Sequence, residues 1–178
     1  MLKLNTMDIK HAAAELHAGD ELVLSGVVYT ARDAAHKLIT QLLAEGKQLP
    51  FQLEGAVIYY AGPTQTPKGA VCGSFGPTTS CRMDAFTPLL LEKGVSATIG
   101  KGGRSDAVTE AIIKNKSPYF AALGGAGALA ASCITACEVI GFEHLGCESV
   151  KRLEFNRFPL YVATDIYGNS IYNLGGKL

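Results

Sequence analysis

Residues 76–84, GPTTSCRMD, form the most informative stretch of this sequence, because they join a chain-breaking pair to a run of hydroxyls and a cation. The stretch leads into residues 83–92, which have the composition of a helix. A loop that feeds a helix presents free backbone N–H groups and the positive end of the helix dipole, and both attract an anion. Arg82 adds a planar guanidinium that can hold a carboxylate through two hydrogen bonds. An ordinary capped turn would use the same residues, so this stretch alone leaves both interpretations open.

A second glycine-rich loop with cations lies at residues 100–104, GKGGR, directly after the apolar, strand-like run 95–99. Lys101 stands between glycines. It is either a flexible surface lysine or a charge that a backbone without Cβ atoms brings close to a ligand. Arg104 is more typical of a surface residue. Two loops of this kind in one small chain predict a binding site for a carboxylate or a phosphate.

Short apolar runs alternate with helix-like segments along the whole chain, and turn residues separate them. This alternation predicts an α/β fold of layered elements in a single domain that spans residues 1–178. The predicted strands are 21–29, 55–61, 70–74, 95–99, 119–123, 149–155 and 160–165, and the predicted helices are 8–17, 31–45, 83–92, 106–115 and 127–138. Thr30 is the expected N-cap of the helix 31–45, and Gly46 is its expected terminator.

The composition argues against two classes of protein. Apolar residues make up 48% of the chain, charged residues make up only 18%, and the formal net charge is zero. This balance is unlike that of disordered chains, and it lacks the basic excess that nucleic-acid binding requires. So few charges also indicate that some apolar surface meets a partner, although a well-packed α/β domain would have the same composition.

No stretch of the sequence has the pattern of a signal peptide or a membrane span. Residues 1–16 lack a continuous apolar region, and the most apolar stretch, 123–131, is short and interrupted by glycines. The five cysteines are odd in number and lack the spacing of a disulfide framework, which fits a reducing compartment. We therefore expect a soluble, cytoplasmic protein.

Arg32 is a further candidate for anion binding, because it follows the predicted strand 21–29 and begins the next helix. Ligands of α/β sheets gather at the carboxyl ends of strands, and a cation in the first turn of a helix is unfavourable unless it has another role. His36 lies one turn further along the same face, so it could reach the site or simply pack. Asp84 is either a first-turn acid or a partner that orients Arg82.

Cys133 and Cys137 would share one face of the predicted helix 127–138, a spacing that raises the question of a metal site. Metal sites need three or four ligands, and no other Cys or His in the sequence completes a recognisable set with this pair. Cysteines in an alanine-rich helix are typically small buried hydrophobes. The sequence therefore predicts no metal ligand in this chain.

Several motifs, in the same order, resemble those of the β subunit, or C-terminal domain, of the class I iron–sulfur hydro-lyases. These are the fumarate hydratases and the related L-tartrate dehydratases. The motifs are TARDAAHK at 30–37, YAGP at 60–63, GPTTSCRMD at 76–84, GKG at 100–102, FP at 158–159 and DIYGN at 165–169. The resemblance implies a swivelling β/β/α domain as the form of the α/β fold. It also implies a 4Fe–4S cluster held by cysteines of a partner α subunit, in an α2β2 assembly.

The resemblance further implies an activity, the reversible hydration of fumarate to (S)-malate, and a set of site residues. The substrate-binding positions would be Arg32, Gly76, Thr78, Thr79, Arg82 and Lys101. Of these, Thr78, Arg82 and Lys101 would take part in catalysis, with Thr78 as the group that removes a proton from carbon. A free hydroxyl is a weak base, so nearby cations would have to stabilise its alkoxide, or Thr78 would relay the proton instead. The alternatives are a β subunit of L-tartrate dehydratase and a non-catalytic module that binds small anions.

Overall fold

The computed structural model describes residues 1–123 and 125–173, which contain strands, short helices and 3₁₀ turns. The strands are β1 (Leu2–Asn5), β2 (Glu21–Thr30), β3 (Val57–Tyr59), β4 (Ala61–Pro63), β5 (Phe75–Pro77), β6 (Ala97–Gly100), β7 (Tyr119–Ala121), β8 (Ile134–Gly141) and β9 (Val150–Thr164). The helices are α1 (Ile9–Ala12), α2 (Asp33–Ala44), α3 (Thr87–Glu92), α4 (Asp106–Asn115) and α5 (Gly127–Ser132). The 3₁₀ turns are Thr6–Asp8, Ala13–Glu15, Ser80–Met83 and Glu143–Glu148.

Five of the strands close on themselves into a ring. Strands β2, β3, β6 and β7 are parallel neighbours in that order, and β9 closes the ring by pairing antiparallel with both β7 and β2. Strand β1 lies parallel beside the first half of β2, and β8 lies antiparallel beside the first half of β9. The carboxyl ends of the four parallel strands therefore share one edge of the ring, which we call the carboxyl rim. The chain leaves these strands at Ala31, Tyr60, Lys101 and Ala122.

Two apolar cores lie on opposite faces of the ring wall. Inside, alternate residues of all five ring strands pack together, and they include the mutually packed aromatic side chains of Tyr59, Phe155 and Phe158. Outside, helices α2, α3 and α4 pack their apolar faces against the wall. Adjacent residues such as Ile58 and Tyr59 belong to opposite cores. This arrangement explains the continuous apolar runs of the strands, because both faces of the wall are covered.

The structure confirms the predicted mixed α/β character. The predictions at 21–29 and 106–115 match β2 and α4, and helix α2 lies within the predicted span 31–45. The strands predicted at 95–99 and 119–123 are present as β6 and β7, each shorter or shifted by a residue or two. None of the helices described has the length and apolar character needed to cross a membrane.

The helix predicted at 127–138 is wrong in its second half, because α5 ends at Ser132 and the chain continues as β8. The alanines favour a helix locally. Strand β8 is rich in β-branched residues, which favour a strand, and it pairs along most of its length with β9. Cys133 and Cys137 consequently do not share a helix face, and both are partly buried against the inner core.

Three further predictions near the candidate loops are wrong in their boundaries. Residues 70–74 form no strand, because β5 begins only after them. The helix predicted at 83–92 is confined to α3, and a 3₁₀ turn precedes it. Thr30 is not an N-cap, since it lies within β2 and its hydroxyl accepts a hydrogen bond from the Lys151 N–H (3.0 Å). The N-cap position of α2 belongs to Arg32.

Other differences join or divide the predicted elements. The strands predicted at 149–155 and 160–165 are one strand, β9, in which Arg157 adopts the left-handed region (φ 59°). The strand predicted at 55–61 divides into β3 and β4. The helix predicted at 8–17 is a single turn, α1, flanked by 3₁₀ turns, and β1 was not predicted at all.

Candidate functional site

The carboxyl rim brings together the loops that carry the predicted anion-binding residues. Arg32 follows β2, and Lys101 follows β6, with β3 between these two strands. Residues 76–79 reach the same rim through β5, which pairs antiparallel with β4, and β4 follows β3. Because the carboxyl ends of parallel strands lie at one edge, the three loops share one location.

Backbone hydrogen bonds attach the GPTT loop to its neighbours. The Thr78 N–H donates to the Tyr60 carbonyl (2.6 Å), and the Ser80 N–H donates to the Lys101 carbonyl (2.9 Å). Thr79 and Lys101 face each other in an isolated parallel bridge between these contacts. Thr78 is partly buried, whereas Thr79 and Lys101 are exposed. The backbone therefore fixes where the threonine hydroxyls and the lysine stand relative to one another.

The helix dipole contributes less at this loop than the sequence indicated. Helix α3 begins at Thr87, several residues beyond Arg82, and it has only six residues. The GPTT loop instead runs into the 3₁₀ turn Ser80–Met83. Attraction of an anion must therefore rest mainly on the side-chain cations.

Asp33 holds Arg82 in place. The Arg82 Nε donates to Asp33 Oδ1 (2.9 Å), and Nη2 lies 2.8 Å from Oδ2. Asp33 begins α2 and directly follows Arg32, so this contact links the two arginines through adjacent residues. The Arg82 side chain remains 49% exposed and can still receive a ligand. The suggestion that Asp84 orients Arg82 is wrong, because Asp84 pairs with Arg104.

Glu148 holds Arg32. The Glu148 Oε1 lies 3.2 Å from Arg32 Nη2, and Oε2 accepts a hydrogen bond from the Ala34 N–H (3.1 Å). Arg32 occupies the N-cap position of α2 without a side-chain capping bond, so Glu148 supplies a cap from a distant part of the chain. The Arg32 Nε is buried and has no hydrogen-bond partner in residues 1–123 and 125–173.

The side chain of Arg104 is completely buried, which corrects its prediction as a surface residue. Its Nε donates to Asp84 Oδ1 (2.8 Å), and its Nη2 donates to Thr87 Oγ1 (2.7 Å). The guanidinium also lies over the rings of Tyr60 and Tyr119, at 5.3 and 4.9 Å from their centroids. Arg104 therefore joins the loops of the carboxyl rim from below and does not face the open site.

Two tyrosines hold the loop that carries Lys101. The Tyr119 hydroxyl donates to the Gly102 carbonyl (2.9 Å), and the Gly102 N–H donates to the Tyr172 hydroxyl (3.0 Å). Burial raises the pKa of Tyr119, so its hydroxyl is neutral and acts as a hydrogen-bonding group. Gly102 adopts φ +79°, which explains the need for glycine. Lys101 itself has no ion-pair partner within the described part of the chain.

His36 packs beneath the site and does not reach it. Its ring is fully buried against Tyr60 and Phe86, with centroid separations of 5.5 and 5.6 Å. Its Nδ1 donates to the Arg32 carbonyl (2.9 Å), which can only accept. Burial lowers the pKa of His36 to about 4, so the ring is neutral near pH 7. His36 therefore fixes the backbone of Arg32.

Sequence reasoning missed the residues that hold the cations. Asp33 was not considered as a partner of an arginine, although its position next to Arg32 was a usable signal. Glu148 and Tyr119 belong to no local motif, and only the folded chain brings them to the carboxyl rim. Contacts of this kind join distant segments, and periodicity and spacing do not reveal them.

The described residues do not form a metal centre. Within residues 1–123 and 125–173, no group of three or more His, Cys, Asp or Glu side chains is arranged to hold a metal ion. Cys72 is buried, Cys81 and Cys147 are exposed, and all five cysteines are free. These residues do not fit an iron–sulfur cluster as its ligands.

The chain is similar in sequence to parts of known fumarate hydratases and to a subunit of a tartrate dehydratase. A family described as "Fumarase C-terminus" matches residues 1–175. The chain is 40% identical over 176 residues to the "Putative L(+)-tartrate dehydratase subunit beta" of Methanocaldococcus jannaschii, covering 96% of this chain and 88% of that protein. It is 37% identical over 167 residues to "Fumarate hydratase 2" of Leishmania major, covering 93% and 29%. It is 39% identical over 153 residues to "Fumarate hydratase class I, anaerobic" of Escherichia coli K12, covering 85% and 28%. The chain thus spans under a third of these two fumarate hydratases.

Proposed function

The chain belongs to the fumarase C-terminus family, and from this premise we propose that it is the β subunit of a two-chain class I fumarate hydratase. The observation that carries the proposal is the gathering of Arg32, Arg82 and Lys101 at the carboxyl rim, beside the hydroxyls of Thr78 and Thr79. The substrate would be a four-carbon dicarboxylate, and the reaction the reversible hydration of fumarate to (S)-malate.

The three cations suit the charge that this reaction develops. Removal of a proton next to a carboxylate pushes additional negative charge into that carboxylate, and fixed cations stabilise this charge without reorganising. Arg82 can present a two-pronged guanidinium to one carboxylate, and Lys101 supplies a point charge on a mobile stem. Arg32 would contribute its positive charge, because its side chain is 23% exposed although its Nε is buried.

Thr78 is the residue that we propose removes or relays the proton. It is partly buried, and its backbone is held by Tyr60, whereas Thr79 is exposed. The Thr78 hydroxyl makes no hydrogen bond to another group among the residues described, so it remains available to a substrate. Neighbouring cations would stabilise the alkoxide form of this hydroxyl, so it would lose its proton more readily than a hydroxyl in water.

The open form of the site supports the proposal of a partner. Gly76, Thr79, Arg82 and Lys101 are all exposed, so a dicarboxylate bound here would remain in contact with water. Dehydration chemistry benefits from a site that excludes water. We propose that a cysteine-bearing α subunit covers the rim in an α2β2 assembly. It would hold the 4Fe–4S cluster that acts as Lewis acid toward the hydroxyl. The ring with its outer helices would then be a swivelling β/β/α domain.

L-tartrate dehydratase is the second candidate, because the Methanocaldococcus relative is a separate chain of nearly the same length as this one. Both substrates are four-carbon dicarboxylates, and the same cations would serve either. Anaerobic co-expression with a cysteine-bearing α chain, followed by assays of fumarate, malate, tartrate and mesaconate, separates the two. We expect turnover of fumarate and malate. Turnover of tartrate alone would favour the second candidate, and dicarboxylate binding without any turnover would indicate a non-catalytic module.

A further inference from the structure

We infer that Asp33 and Glu148, which we call the carboxylate pair, are positioning residues that fix the two site arginines at a set separation. The inference rests on the proposed function, since it assumes that Arg32 and Arg82 bind the two ends of a dicarboxylate. It extends that function by naming the groups that determine which length of dicarboxylate is accepted.

Both members of the carboxylate pair act at the first turn of α2. Asp33 contacts Arg82 through both carboxylate oxygens, at 2.9 Å to Nε and 2.8 Å to Nη2. Glu148 contacts Arg32 through one oxygen (3.2 Å) and the Ala34 N–H through the other (3.1 Å). Arg32 and Asp33 are consecutive residues at the start of α2. The positions of the two guanidinium groups are therefore both fixed relative to this end of the helix.

Glu148 is itself held firmly by its own segment. It ends the 3₁₀ segment Glu143–Glu148, which is kinked at Gly146, and two carbonyls of this segment accept hydrogen bonds from the buried Lys151. The Lys151 Nζ donates to the carbonyls of Gly146 (3.2 Å) and Cys147 (3.3 Å) and to the Ser149 hydroxyl (2.7 Å). The backbone of Glu148 is thus held in place, so its carboxylate can position Arg32. A flexible acid on the surface could not do this.

The carboxylate pair leaves both arginines able to bind. The Arg82 Nε donates to Asp33 and Nη2 lies within ion-pair distance of it, whereas Nη1 has no such contact in the described residues, and nearly half of the side chain is exposed. Glu148 contacts Arg32 at Nη2, and the Arg32 side chain remains 23% exposed. Three cations and two carboxylates also leave one net positive charge, which attracts a dianion without crowding three unpaired cations together.

The test uses the complex with the α chain and the variants Glu148→Gln and Asp33→Asn. Each removes a charge without changing the size of the side chain. We expect KM for fumarate to rise about 10-fold in each, the value of one weakened charged hydrogen bond, with a smaller fall in kcat. The inhibition constants of succinate and glutarate should also approach each other, because the separation of the arginines is no longer fixed.

The controls are Glu143→Gln, on the same 3₁₀ turn as Glu148, and Asp106→Asn, at the start of α4 as Asp33 is at the start of α2. Both acids are exposed, and KM should not change. In the Arg32→Lys background, Glu148→Gln should have little further effect, because Glu148 acts through Arg32. A purely structural role would lower the amount of active complex and leave KM and the ratio of inhibition constants unchanged.

Unchanged KM in both variants, or full additivity with Arg32→Lys, would overturn the inference. If Glu148→Gln does not fold, Asp33→Asn carries the test alone, since its contact is the more exposed. A wild-type complex that does not turn over fumarate refutes the proposed function instead. Calorimetric binding of (S)-malate to wild type and variants then decides the inference, and no binding by wild type refutes both.

Discussion

The guanidinium of Arg104 and the carboxylate of Asp84 form an ion pair with an Nε–Oδ1 distance of 2.8 Å, and the Arg104 side chain is completely buried. The other oxygen of Asp84 accepts a hydrogen bond from the Ser105 N–H (2.7 Å). The pair therefore joins the loop that carries Arg82 to the loop that carries Lys101. Its main role is structural, although it lies directly beneath the candidate site.

Replacing Asp84 by Asn should destabilise the protein strongly. The substitution leaves the buried charge of Arg104 without its counter-charge, which costs about 3–5 kcal/mol when one partner of a buried pair is removed. Denaturant unfolding of wild type and variant measures the difference. Asp106→Asn, which removes an exposed acid at the start of α4, is the control. A loss as small as that of the control would show that Arg104 is compensated by other groups.

Tyr119→Phe should loosen the Lys101 loop with a moderate effect on stability. It removes the hydroxyl that donates to the Gly102 carbonyl and contacts the Ser80 hydroxyl at 2.9 Å. We expect a loss of about 1–1.5 kcal/mol of unfolding free energy, typical of one hydrogen bond, and a higher KM for the dicarboxylate. Tyr161→Phe, on β9 and without a hydroxyl contact in the described residues, is the matched control. Equal KM values for the two variants would show that the Tyr119 hydroxyl does not contribute to substrate binding.

His36 should make the protein less stable in mild acid. Burial lowers its pKa to about 4 in the folded state, below the ordinary value of 6.5. Between these values the unfolded chain binds more protons than the folded one. Stability therefore falls as pH drops from about 6.5 toward 4, by at most about 3 kcal/mol.

The variant His36→Gln lacks this titration, so its unfolding free energy should change less than that of wild type between neutral pH and pH near 4. Comparing the change within each protein cancels the contributions of the carboxylates. His144→Gln, at an exposed position, should retain the wild-type pH dependence. An equal pH dependence in His36→Gln and wild type would mean that the buried ring does not resist protonation.

Thr78→Ala should lower kcat by about 10²–10⁴-fold, the usual contribution of a positioned acid–base group, while Thr78→Ser should retain part of the rate. KM should change less, because a base acts in the transition state. Exchange of the C3 proton of malate with solvent, followed by NMR in the complex with the α chain, isolates this step from product release. Exchange at the wild-type rate in Thr78→Ala would exclude Thr78 as the base.

Elements with a strong local signal could be predicted from the sequence. Helix α4 carries its own N-cap, Ser105, whose hydroxyl accepts a bond from the Val108 N–H, and it matches the predicted span. Strand β8 was missed because the alanines that precede it suggested a longer helix, although the β-branched residues of β8 favour a strand and β9 pairs with it. The point at which α5 gives way to β8 depends on pairing with β9, which the sequence alone does not reveal.

The site was predictable to a similar degree. Glycine-rich loops and strand ends indicated where Arg32, Arg82 and Lys101 would stand, because these signals lie within a few residues of each cation. Their supporting contacts were not predictable, because the Glu148 carboxylate reaches the start of α2 across 114 positions of sequence. Buried Arg104 was misjudged for the same reason, since its tyrosine and threonine partners come from separate elements.

The closing of the ring has a consequence for how the chain folds. Strand β2 pairs with β9, so residues near the start of the chain form their contacts with residues near its end. Contacts between residues so far apart in sequence slow folding. During synthesis, one edge of β2 stays unpaired until Val150 and the residues after it emerge. Glu148 arrives in the same late step, immediately before β9. The contact between Glu148 and Arg32 therefore forms only as the ring closes. In a chain whose synthesis stops before Glu148, Arg32 is present but nothing holds its side chain in position.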